Sequence, residues 1–72
     1  MTMDARDIKF RDLILFRYAE GKSLLCRVEL IGRGFYTVRV LSATPEQVIE
    51  SGYGCGEHIN TQATALHPVA GS

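Results

Sequence analysis

Three groups of side chains in this sequence could do chemistry. The first is Cys55-x-x-His58, a thiol and an imidazole three positions apart, with Cys55 inside the run Gly52-Tyr53-Gly54-Cys55-Gly56. A neighbouring imidazole can lower a thiol's pKa and turn it into a nucleophile. Together with Cys26 and His67, the pair also makes four side chains that zinc accepts. Neither reading is adopted. A zinc ribbon needs two close ligand pairs, whereas Cys26 and His67 stand alone, and Cys26 lies between Leu24 and Val28, where a thiol packs as a small hydrophobe. Nothing in the sequence supplies an orienting partner for His58 or an oxyanion arrangement. We therefore expect no catalytic residue, no metal and no cofactor.

The second group is basic. Gly32-Arg33-Gly34 has the composition of a phosphate-binding loop, but no helix follows it to complete a cradle, so it reads as a turn. Arg17, Arg27 and Arg39 fall at alternating positions of three β-rich runs, so they project from one face of neighbouring strands. With Phe35 beside them, and with Tyr53 expected to be exposed between its glycines, they form a candidate surface for stacking bases and pairing phosphates. The third group is apolar: Leu13, Leu15, Leu25, Ile31, Phe35 and Leu41 alternate with those arginines on the same face. Apolar side chains on a second sheet face need a cover, which makes these six the candidate interface.

Three consecutive strands must hold these residues: LILFRY, SLLCRVELI and FYTVRVLS. Their other face carries no charge and collects Ile14, Phe16, Tyr18, Leu24, Cys26, Val28, Leu30, Tyr36, Val38 and Val40, the predicted core. Ala19-Glu20-Gly21-Lys22 and Gly32-Arg33-Gly34 read as the two hairpin turns. At Thr44-Pro45-Glu46-Gln47 a capping threonine, a proline at the first helical position and a glutamine three residues after the cap predict a short helix over 45–50. Glu57-His58-Ile59-Asn60 reads as a fourth strand, and Leu66 to Val69 as a closing strand with Pro68 at its edge. The expected organisation is an arm over residues 1–9, a single domain over 10–69 and a tail over 70–72.

Five short strands with one helix before the fourth resemble a Src-homology-3-like small β-barrel. The opening FRDLILFR is similar to the hydrophobic-x-Gly-Asp-hydrophobic first strand of such barrels, the KOW and Tudor groups among them, with Arg11 where glycine usually stands. The resemblance covers residues 10–69 and implies an all-β, five-stranded, partly open barrel. That architecture hosts many activities, so it implies no function.

The charges sum to zero but are unevenly spread. All eight basic residues precede position 43, giving 8 − 5 = +3 for residues 1–42 and −3 for 43–72. A domain that binds phosphates non-specifically usually has a basic excess overall, so nucleic acid is the alternative partner and a second copy of the chain the favoured one. A chain of 72 residues buries only about 60–65% of its unfolded surface, which also favours self-association. A further alternative is a subunit of an oligomeric enzyme with a shared site, as in the plasmid-borne trimethoprim-resistant dihydrofolate reductases, but their Val-Gln-Ile-Tyr stretch is absent. With no membrane-spanning run, no apolar leader in the charged first dozen residues and only two cysteines, the expectation is a cytoplasmic binding or assembly module with reduced thiols.

Overall fold

The structure, a computed structural model, describes residues 8–69. Residues 1–7 of the expected arm and the tail over 70–72 lie outside the described residues. The chain forms β1 (Leu13–Ala19), β2 (Lys22–Ile31), β3 (Tyr36–Ser42), α1 (Pro45–Ser51), β4 (His58–Thr61) and β5 (Leu66–Pro68), with a 3-10 turn at Ala63–Ala65. The strands make one antiparallel sheet in the order β4-β3-β2-β1-β5. No helix among the described residues is long and apolar enough to cross a membrane.

The sheet is not closed, and its connections require it to curl. Four residues, 62–65, carry the chain from one edge strand to the other. Five flat strands would set those edges about 19 Å apart, whereas five Cα steps reach at most about 18 Å, and less through a 3-10 turn. The strands therefore bend around their apolar face. Ile14, Leu24, Cys26, Val28, Val38, Val40 and Leu66 are fully buried there, joined by Ile8, Tyr36 and Ile59. Phe16 and Tyr18 pack against this core from its margin, as the alternation predicted.

Ile8 draws the folded body two residues beyond its expected start at position 10. It enters the core, and Lys9–Asp12 closes a turn in which the Asp12 N–H donates to the Lys9 carbonyl (3.1 Å) and the Lys9 N–H to Asp12 Oδ2 (2.9 Å). Inside that turn Arg11 has φ 71°, and its N–H donates to the Val28 carbonyl at 2.8 Å. The sequence thus places arginine, at some steric cost, in the left-handed conformation that glycine adopts freely.

Three bulges interrupt the ladders, and one of them overturns two assignments. Val28 pairs with Val38 but Leu30 pairs with Thr37, so Glu29 and Leu30 together oppose one residue. From there the faces of β2 exchange. Leu30, predicted for the core, is 53% exposed on the Thr37 side, and Ile31, predicted for the outer interface, pairs with Tyr36 on the core side while remaining 44% exposed at the sheet's end. The other bulges lie at Tyr18 in β1 and at Leu41 in β3, where Leu41 and Ser42 together oppose Leu25.

Candidate binding face

The pairings turn the outer face of the sheet into a series of cross-strand rows. Nearest the first hairpin, Arg17 opposes Ser23. Next comes an apolar row: His67 on β5, Leu15 on β1, Leu25 on β2, then the bulged Leu41 and Ser42 on β3. A basic row follows, with Leu13, Arg27, Arg39 and His58 on four successive strands. Beyond it Glu29 and Leu30 oppose Thr37, which opposes Asn60. The second hairpin ends the face, with Phe35 across from Gly32, whose N–H donates to the Phe35 carbonyl at 3.0 Å.

The basic row sets two arginines directly opposite each other on adjacent strands, with Cβ atoms about 5 Å apart by sheet geometry. Both are exposed, and neither makes an ion pair among the described residues. His58, also exposed, continues the row across β3, so three cationic or potentially cationic side chains share one line. Glu29, in the bulge, is the nearest carboxylate along β2 and is bonded to neither arginine. Beside the row, Thr37 Oγ1 donates to Asn60 Oδ1 at 2.7 Å. Phe35 is 39% exposed, and its ring covers Gly32 so closely that a β-carbon there would meet it at 2.1 Å. The space that glycine leaves at position 32 is thus filled by the edge of the Phe35 ring.

Of the four residues expected to form a ligand surface, the structure brings two together. Arg27 and Arg39 are neighbours. Arg17 is separated from them by the leucine row, in a shallow concavity with Tyr18, Ala19 and Glu20. Tyr53 belongs to the other side of the sheet: it packs against the core, its ring edge-on to Phe16 at 6.1 Å between centroids. The left-handed Gly52 that ends α1 turns the chain inward, and Ser51 Oγ accepts the Tyr53 N–H at 3.1 Å, so flanking glycines direct this tyrosine to the core margin.

Of the expected interface, Leu15, Leu25 and Leu41 are half-buried, and Leu13, at the end of the basic row, is 51% exposed. Helix α1 offers them little cover. It starts as predicted, with Thr44 Oγ1 accepting the Gln47 N–H (3.2 Å) and Gln47 Oε1 accepting the Thr44 N–H (2.9 Å). It is tethered to β2 by Gln47 Nε2 donating to the Ser23 carbonyl and by the Lys22–Glu50 ion pair, whose hydrogen bond and charge raise the Lys22 pKa. No residue of α1 is buried, and Ile49 is 83% exposed.

The two thiols have different surroundings. Cys26 is fully buried, its Sγ donating to the Leu24 carbonyl at 3.5 Å, and burial pushes its pKa up to about 11. It is unfit as a nucleophile. Cys55 is exposed and donates to the Leu41 carbonyl at 3.2 Å. Among the described residues no three His, Cys, Asp or Glu side chains cluster as metal ligands.

His58 and Asn60 are the members of the face that sequence reasoning left unassigned. The period of β4 places both on one side, but only the pairing of β4 with β3 sets them beside Arg39 and Thr37. Comparison of the chain with protein-family models, with curated proteins and with solved structures finds no match.

Proposed function

We propose that this chain is a small binding and assembly module that self-associates through the leucine end of its outer sheet face, and that its curled sheet is a partly open Src-homology-3-like barrel. The barrel reading is supported by the strand order, by the four-residue link between edge strands and by the left-handed backbone of Arg11 at the position where the resembled first strand carries glycine.

One observation carries the assembly reading. Leu13, Leu15, Leu25 and Leu41 lie on three adjacent strands of a face over which the described residues place no further layer, since Ile8 is committed to the core and no residue of α1 is buried. The occupant we favour is a second copy. The molecule's two longer dimensions, 32 and 22 Å, bound a face of about 700 Å², and its leucine half offers about 350 Å² per copy, or about 700 Å² for the pair, below the standard interface size and suited only to a weak, transient association. With somewhat over half of that area apolar, about 25 cal/mol per Å² gives a gross gain of about 10 kcal/mol for the pair, most of which the loss of translational and rotational freedom offsets. The association should be reversible, with the arginines at its rim.

Sedimentation equilibrium tests it. The wild-type chain should pass from monomer to dimer as concentration rises, while Leu15→Glu and Leu25→Glu stay monomeric with an unchanged far-UV spectrum. A wild-type chain that remains monomeric across the whole range refutes the reading.

A further inference from the structure

We infer that the half of the outer face beyond the leucines is a site for single-stranded nucleic acid, with the phosphates on Arg27, Arg39 and His58 and a base stacked on Phe35. The inference stands apart from self-association, because apart from Leu13 at the end of the basic row it uses different rows of the face, and it needs only one copy of the chain.

Like charges directly across a pair of strands oppose folding. The sequence nonetheless places Arg27 against Arg39, leaves both exposed without a counter-ion among the described residues, and continues the line with His58. An anion laid across the row turns that repulsion into attraction. The arrangement is a line on an open face rather than a ring around a pocket, which suits a chain of phosphates better than a single one. Next to the line, Thr37 and Asn60 present hydroxyl and amide groups able to bond sugar or base edges. Four residues before Arg39, just ahead of β3 and about 13 Å away at strand rise, stands the exposed ring of Phe35. A backbone that follows the row across β2, β3 and β4 and then turns along β3 would reach Phe35 after two or three further nucleotides.

Phe35 is held as a platform. Its ring lies on Gly32, where any side chain would displace it. Base-on-aromatic stacking needs an accessible, held ring, and it accepts every base, so the site should show little sequence preference. A duplex keeps its bases paired and away from Phe35, so it should bind more weakly than a single strand.

The test is fluorescence anisotropy with a labelled thymidine homopolymer, titrated with the full chain at several salt concentrations. Binding should weaken with salt at a log–log slope of about −0.7 for each phosphate contacted. Arg27→Ala with Arg39→Ala should reduce the steepness by about 1.4, the contribution of two contacts. Phe35→Leu should cost about 5- to 100-fold in affinity while leaving the slope unchanged. Gly32→Ala, which leaves the platform residue in place but moves its ring, should fall between Phe35→Leu and wild type. Far-UV spectra and melting curves establish that each variant folds. No anisotropy change at low salt overturns the proposal, as does an unchanged slope in the double arginine variant. Equal affinity of Phe35→Leu and wild type, with inorganic polyphosphate competing as well as the oligonucleotide, overturns it in favour of a generic polyanion surface.

Discussion

Replacing Arg39 by glutamate should stabilise the protein, and by more than replacing it with glutamine. Arg27 and Arg39 are direct cross-strand partners on the exposed face. Two guanidinium charges about 6 Å apart in a water-like medium repel by about 0.7 kcal/mol, and measured cross-strand charge pairs span roughly 0.2–1 kcal/mol. Arg39→Gln removes that repulsion. Arg39→Glu removes it and adds an attraction of similar size to Arg27. The expected gains are about 0.5 kcal/mol for glutamine and about 1 kcal/mol for glutamate, or about 2–4 °C and 4–8 °C in Tm for a domain of this size. Thermal unfolding followed by circular dichroism at low ionic strength measures both. In about 1 M salt, where the screening length falls to about 3 Å, the difference between the two variants should largely vanish. If glutamate is no better than glutamine at low salt, or its advantage survives high salt, the two side chains do not sense each other and the row is not a charge array.

Three further outcomes follow from other parts of the fold. Arg11→Gly should stabilise the chain by up to about 1 kcal/mol, because relief of about 1–2 kcal/mol of left-handed strain exceeds the extra freedom glycine gives the unfolded state; an urea midpoint that falls contradicts the turn geometry. Thr44→Ala removes the reciprocal cap of α1 and should cost about 1 kcal/mol by the same denaturation assay, with Gln47→Ala costing at least as much because its amide also holds the Ser23 carbonyl. For the thiols, an aromatic disulfide reagent should titrate Cys55 at once and Cys26 only on unfolding. The native pKa of Cys26, about 11, exceeds the ordinary thiol value of 9.0, so the folded state holds its proton more tightly and loses stability as pH rises from 9 towards 11. Cys26→Ala should flatten that decline, and a decline of equal slope in the variant would assign it to other groups.

Local features of this fold were legible because local chemistry decides them. The Thr44-Pro45-x-Gln47 cap placed a helix at 45–50, and the structure has it at Pro45–Ser51. Strict alternation through Ile14, Leu24, Cys26, Val28, Val38 and Val40 named the fully buried core apart from Leu66. What escaped depends on register, which sequence does not mark. A bulge inserts one residue between two others of ordinary strand type, and nothing in Val28-Glu29-Leu30-Ile31 signals that the alternation breaks there, so Leu30 and Ile31 exchange faces. Tyr53 was misjudged for a related reason: Gly52 was legible as a helix stop, but the direction in which its left-handed turn sends the next side chain depends on where Phe16 stands. The opposition of Arg27 to Arg39, and of Arg39 to His58, is likewise a property of pairing and not of any single strand.

The outer face carries two features that a solitary domain of this size has little reason to keep. Half-buried leucines forgo part of the burial on which a 72-residue chain depends, and opposed arginines add repulsion to a margin of only about 0.05–0.15 kcal/mol per residue. Either could be removed by substitutions confined to the outer face without touching the core, since the inner face is complete without them. Local choices that conflict with isolated stability gather where a surface is used. They also differ in kind along the face: apolar and weakly charged around Leu15 and Leu25, basic from Arg27 to His58, polar and then aromatic from Thr37 to Phe35. A single partner matching all of that sequence would have to be apolar, anionic and aromatic in turn within a span of 32 Å. Two occupants, a second copy on the leucines and a strand of phosphates and bases on the rest, account for the same rows with one chemistry each.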